Sequence, residues 1–441
     1  MRKLAENPTA SFPEVMGSEA DLQGGYRLLN NPHLTLKALL DSYADETAAR
    51  AAPFQRVLAI HDSTTCVFEQ ADPAQTGYTH TGKPGFVFHY TLIVEGTAKR
   101  RPLGVAHGEA LFRDKPPAKR NRKHRRPRLS GKQTAKDPER RFLRWKRGIE
   151  HTARVLSGCE VIHVADRESD SYAHFCMPHR FVFRVRVDAR RAQDAEGAHG
   201  TVRSFVERPK GVLTREVNLA ARQGLPELRT AHAPRARRDA QLEFSATTVV
   251  LSRPRYADES LPETVQVNVV RVFEPQPPAG EEPVEWLLYT SEPIDTVQQI
   301  AEVVDIYRAR WLIEECNKAL KTGCLYEERQ FESRHALLGL LGISLPVAVE
   351  ILWLRNETRE QPTRPARELL SDIQLEVLRA MGTRKLTANP TAEEAMLAIA
   401  GLAGHHRSNG LPGWLILQRG KTKLNAYVAG WEAALAARAD L

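Results

Sequence analysis

Apolar and polar positions change period several times along this chain, and each change predicts an element. Residues 18–46 follow a helical period broken at Asn30-Asn31-Pro32, which predicts two short helices. Residues 55–61 form an apolar run that predicts a first strand. Phe86 to Glu95 alternates and then runs apolar, as a longer strand would, and Pro102 to His107 predicts a third. A helix follows over 138–156, with Phe142, Ile149, Val155 and Leu156 placed to face a sheet. Next come an apolar run ending at Asp166, a helix near 168–177 and a strand from Phe181 to Val187. Alternating positions from Leu242 to Val250 and from Val265 to Val269 predict further strands. The proline-rich loop Pro275 to Pro283 leads to the last strand, Val284 to Thr290. Ala336 to Leu354 is apolar enough to imitate a membrane span. It carries Pro346 and Glu350 and has no companion span, so it reads as a buried core helix. Residues 360–441 are helical in pattern and alanine-rich.

The segment from Tyr307 to Lys321 carries the most chemistry. Tyr307, Arg310, Glu314 and Lys321 share one stripe of an α-helix at about 100° per residue, and Ile306, Ile313 and Leu320 form an apolar stripe beside it. A carboxylate flanked by two cations and a phenol suits a metal-binding acid among phosphate-holding groups. The same spacing also suits a solvated face with an Arg310–Glu314 pair one turn apart. Two upstream aspartates complete a candidate set. Val57 to Asp62 is followed by Ser63-Thr64-Thr65, and Val161 to Asp166 by Arg167-Glu168. An acid at the carboxyl end of a buried strand sits at the rim of a sheet, where open α/β sheets usually place their sites. Singly, such an aspartate is more often a turn former or helix cap.

Charge and cysteine usage add two constraints. The formal net charge is +9, modest for 441 residues, and it is locally dense: Lys119 to Arg128 holds seven Lys or Arg and no acid. Arg140 to Arg147 adds a cluster around Trp145, and Arg235 to Arg238 reads as loop decoration. Local density of this kind is what phosphate neutralisation requires, although a basic loop without a specific role has it too. Five cysteines without paired spacing point to a reducing compartment rather than a zinc site or disulfide framework. No apolar leader opens the chain.

The series Y-x2-R-x3-E-x6-K over Tyr307, Arg310, Glu314 and Lys321 resembles the signature of the cut-and-paste transposases of the insertion-sequence-4 group, typified by the transposon-five transposase. Asp62-Ser-Thr and Ala165-Asp-Arg-Glu-Ser-Asp170 are similar to that family's first and second acidic motifs. The resemblance runs from about Ser18 to the C-terminus. It implies an α/β fold with a ribonuclease-H-like mixed-sheet core (51–187 and 291–358), an inserted antiparallel β subdomain (188–290) and a helical dimerisation region (359–441). It also implies a partial helical DNA-binding region over 1–50.

By the same resemblance Asp62, Asp166 and Glu314 form a catalytic triad holding two Mg2+ ions, with Mn2+ as a substitute. Tyr307, Arg310, Lys318 and Lys321 grip DNA phosphates. Trp286 stacks on, or stands in for, a flipped base, its other reading being a core tryptophan. The implied activity is Mg-dependent cleavage at transposon ends and strand transfer into target DNA. The partners are DNA and a second copy in a synaptic homodimer, with no membrane, in the bacterial cytoplasm at the nucleoid. Before Ser18 the family carries a longer end-reading bundle, for which residues 1–17 offer no visible counterpart. Two alternatives follow: an N-terminally shortened, non-transposing inhibitor that binds DNA non-specifically and pairs with full-length copies, or a structure-specific nuclease with the same core.

Overall fold

The structure is a computed structural model that describes residues 1–116, 141–186, 188–221, 234–331, 333–382 and 384–439. The basic run Lys119 to Arg128, Arg140 and Val187 lie outside the described residues.

One mixed sheet organises the chain. Its strands are β1 (Arg56–Val67), β2 (Gly85–Glu95), β3 (Pro102–Leu111), β4 (Glu160–Ala165), β5 (Arg180–Arg184), β6 (Arg191–Gln193), β7 (His199–Thr201), β8 (Leu213–Leu219), β9 (Arg238–Ser252), β10 (Thr264–Phe273) and β11 (Glu285–Thr290). Their order is β3-β2-β1-β4-β5-β11-β10-β9-β6-β7, with β8 also on β9. The antiparallel meander β1-β2-β3 continues into β4 and β5, both added in parallel. That arrangement is the ribonuclease-H-like core. Parallel addition needs a crossover, and the helix Arg141–Val155 supplies it between β3 and β4.

The strands over 188–290 do not form a separate sheet. β11 pairs antiparallel with β5, Leu288 opposite Arg184 and Thr290 opposite Val182, so the insertion extends the core edge to edge. Thr290 closes that seam by donating its hydroxyl to Phe181 O at 2.7 Å.

Helices cover both faces. We label Arg2–Glu6 α1, Phe12–Met16 α2, Glu19–Leu29 α3, Leu36–Ala51 α4, Arg141–Val155 α5, Val297–Arg308 α6, Trp311–Lys318 α7, Arg334–Glu360 α8, Asp372–Met381 α9, Ala392–Leu402 α10 and Trp414–Ala439 α11. The expected pair over 18–46 is present as α3 and α4. Two further helices precede it, and the pattern does not predict them. Ser11 and Glu14 form a reciprocal capping box at the start of α2, and Phe12 then packs on Tyr26 and Phe331.

One face of the sheet (Leu58, Ile60, Leu92, Val164, Leu288) packs against α6, α7 and α8. On the other, Trp145 and Ile149 of α5 meet Phe181, Phe183 and Tyr289. α8 has the length and composition of a membrane span, yet 78% of its apolar window is buried inside the chain. It is the core helix of the C-terminal half. α10 and α11 pack on it, helped by a Lys421–Glu350 contact of 2.5 Å and by Arg355 over the ring of Trp414, and α9 packs in turn on α10 and α11.

Candidate functional site

β1 and β4 run in a parallel register that sets Ile60 opposite Val164. Two residues further on, the same register sets Asp62 opposite Asp166, where β4 has ended and the strands part. Asp62 is therefore at a sheet rim on its β4 side only. On the other side β1 continues to Val67, and Asp62 stays in the ladder opposite Tyr90. The strand predicted over 55–61 is longer because Ser63, Thr64 and Thr65 keep pairing with β2. Asp166 caps a 3-10 turn, accepting the Glu168 N–H at 2.8 Å, so its cap role and its position facing Asp62 coexist.

Tyr90, the cross-strand partner of Asp62, pins α7 over this end of the sheet. Its hydroxyl reaches Asn317 Oδ1 at 2.9 Å and Ile313 O at 3.3 Å. The expected single helix from Tyr307 to Lys321 is in fact three helical forms in series. α6 ends at Arg308, and Arg310, Leu312 and Ile313 each donate to the carbonyl three residues back. α7 follows, and 319–323 widen into a π-turn. Tightening to three residues per turn aligns Tyr307 with Arg310, and the α-helical turn then aligns Arg310 with Glu314. Ile306, Ile313 and Leu320 are buried as the pattern predicts.

Arg310 is the hub of the site. Its guanidinium lies 3.2 Å from Glu314 Oε1 and 3.7 Å from Asp62 Oδ2. Burial pushes the Asp62 carboxyl up to about 7, and Glu314 and Asp166 add to the rise, while Arg310 and the Ser63 N–H work against it. For Arg310, burial opposes the charge, but Tyr307, Asp62, Glu314 and Asp166 together outweigh it and raise its pKa. Asp62 and Glu314 thus share an internal cation, and the charge of Asp166 bears on both Asp62 and Arg310. As they stand they are not a metal cage: among the described residues no three His, Cys, Asp or Glu side chains are grouped to hold an ion.

Beside Arg310 opens a cleft of about 1140 Å3 lined by Tyr307, Trp286, Trp311, Arg100, Arg184 and Arg359 among others. Trp286 is partly buried, with its ring 5.5 Å from Tyr307 at a steep tilt. Arg184 completes this group, 5.7 Å over the Trp286 ring and donating to Glu285 O at 3.3 Å. Sequence reasoning missed Arg184. It is the last residue of β5, and the only signal was a cation after an apolar run.

The other two predicted contacts lie elsewhere. Lys318 is exposed and sits 5.0 Å over the Trp311 ring. Lys321 faces a second cleft of about 1290 Å3, donating to Thr65 O and pairing with Glu327 at 3.2 Å.

Residues 1–34 match a family model described as transposase DNA-binding. The match takes in residues 1–17, where sequence reading finds no counterpart of such a region. A cryo-EM structure of a piggyBac transposase synaptic complex with hairpin DNA is similar over 69% of this chain at 11% identity, with a TM-score of 0.29. The matched part spans about half of that chain, 48%.

Proposed function

We propose that this chain is a DNA transposase of the insertion-sequence-4 group, a metal-dependent DNA nuclease and strand transferase. Asp62, Asp166 and Glu314 are its acidic triad. One observation carries the reading. Two acids picked from sequence, Asp62 on β1 and Glu314 on α7, lie against Arg310 at the end of a ribonuclease-H-like sheet, and Asp166 follows β4 level with Asp62. The cationic, aromatic cleft beside them and the transposase DNA-binding match over 1–34 support DNA as the partner.

Within this proposal the chain's own side chains hold and aim the DNA. Arg310 offers two parallel N–H donors to a phosphate once it leaves the carboxylates, and Tyr307 adds one neutral donor. Trp286 supplies a flat surface for an unstacked base. Lys321 marks a phosphate position on the second cleft, and Lys318 is an outlying contact. Mg2+, or Mn2+ in its place, belongs to the proposal because three carboxylates are hard oxygen donors. A divalent pair would neutralise charge at phosphorus and activate an oxygen. Pairing of two copies through α11 is included too. Trp414 and Leu424 are buried within the chain, while the helix beyond Tyr427 is mostly exposed. The proposed compartment is the bacterial cytoplasm at the nucleoid, where free thiols and chromosomal DNA coincide.

The test is cleavage of a duplex carrying the element's terminal repeats in Mg2+. Wild type should nick it, and Asp62→Asn, Asp166→Asn and Glu314→Gln should each abolish nicking while keeping DNA affinity. A variant that nicks at the wild-type rate removes its residue from the triad. Failure of wild type to cut any end-bearing duplex, in Mg2+ or Mn2+, would leave a DNA-binding protein without this chemistry.

A further inference from the structure

The chain turns back sharply after the π-turn that carries Lys321. Leu325, at φ +49°, is one of two non-glycine residues in the left-handed region among the described residues, so this reversal is held against its local preference. It returns Tyr326, Glu327 and Glu328 towards β1. Tyr326 anchors the return from below, fully buried and donating its hydroxyl to Leu337 O at 2.8 Å.

Glu327 is what the return delivers. Its Oε1 accepts the Val67 N–H at 2.8 Å and lies 3.2 Å from Lys321 Nζ. Lys321 Nζ also donates to Thr65 O at 2.5 Å. The ammonium is thereby fixed from two sides, by a strand carbonyl and by a carboxylate that is itself fastened to the same strand. Both side chains keep about a quarter of their surface open to the second cleft, 26% each. A lysine on a flexible four-carbon stem would otherwise sample many positions.

The geometry points to Glu327 as a positioning residue that aims Lys321 at a DNA phosphate. This inference rests on the reading of Lys321 as a phosphate contact. Glu327 also cancels the lysine charge until DNA competes for it, so it works against loose phosphate binding while favouring the aimed geometry. A purely structural role would weaken both affinity and rate. An aiming role separates them.

Glu327→Gln is the discriminating variant, because its amide oxygen still accepts the Val67 N–H while the charge is gone. Its thermal midpoint should stay near wild type. Lys321, followed by amine acylation and mass spectrometry, should become about tenfold more reactive, because the side chain loses the carboxylate that holds it protonated and in place. DNA affinity should hold or rise, with no loss of salt slope, whereas nicking should fall by about 10²-fold through misplacement. Lys321→Ala combined with Glu327→Gln should nick no more slowly than Lys321→Ala alone. Unchanged Lys321 acylation in Glu327→Gln overturns the inference, and so does a double variant whose losses multiply. Raised acylation in a protein whose wild type cuts no DNA would leave the aiming intact and remove the transposase reading instead.

Discussion

Asp62 sits where a carboxylate is costly to ionise. Its folded pKa of about 7 lies above the ordinary 3.8, so the protonated form supports the fold at low pH. That contribution is complete below about pH 4 and is lost as pH rises through 7. Asn has the shape of the protonated acid and never ionises. Asp62→Asn should therefore be more stable than wild type at pH 8, by on the order of 2 kcal/mol, with the gap closing towards pH 4. Urea unfolding at the two pH values measures this, and equal stability at pH 8 would refute it. The acids were legible in sequence because each sits in a local pattern with one structural meaning, an apolar run that stops at an acid or a helical stripe. Arg184 and Glu327 have no such pattern. Each acquires its role from a partner about 100 or more residues away, Glu285 and Val67 respectively.

At the scale of elements, the reverse side of β1, β2 and β4 carries a layer of imidazoles beneath α5. His61 meets His163 at 2.9 Å and Thr91 at 2.9 Å, and His89 meets Ser63 at 3.0 Å. Gly148 gives them room: a Cβ there would lie 3.3 Å from His61, His89 and His107. Burial holds all of them below the usual histidine range, His107 at about 4 and His163 at about 3. The depressed folded pKa makes the sign plain. Stability is complete above pH 6.5 and is lost as pH falls towards 4, because the unfolded chain takes up protons that the folded chain refuses. His107→Leu should reduce the loss between pH 6.5 and pH 4.5 by on the order of 1 kcal/mol, read from urea midpoints. An unchanged loss would place the acid sensitivity elsewhere. Alternation made these strands legible, but not which of their polar residues face inward. The series Tyr307 to Lys321 shows a related limit. Its apolar stripe fitted one continuous helix, while the 3-10 and π turns that set the polar groups depend on tertiary packing rather than on local spacing.

At the scale of the whole molecule, the inserted β segment and the core share one sheet. The core meander and its parallel strands were legible from periodicity. The merging of 188–290 into the same sheet was not, since it depends on β11 finding β5. The N-terminal segment is also fastened down. Phe12 lies 4.8 Å from Tyr26 and 5.3 Å from Phe331, and Arg329 donates to Ala10 O, which ties α2 to the return after α7 and its π-turn. If residues 1–34 read transposon ends, Phe12→Ala should loosen that docking. Discrimination between terminal-repeat and scrambled DNA should then fall several-fold at fixed salt, with sequence-indifferent affinity held within about twofold. Competition gel shifts measure both. Equal binding of the two DNAs by wild type would remove end reading from residues 1–34.

The seam between β5 and β11 also bears on how the chain is made. While the ribosome is still adding the inserted segment, β1 to β5 already exist as chain, but one side of β5 has no partner until β11 emerges about 100 residues later. Through that interval a bare strand edge rich in Phe and Val is exposed to other nascent copies. The flanking Arg180 and Arg184, which later serve an ion pair and the cleft, put a positive charge at each end of that edge and so guard it against self-association during synthesis.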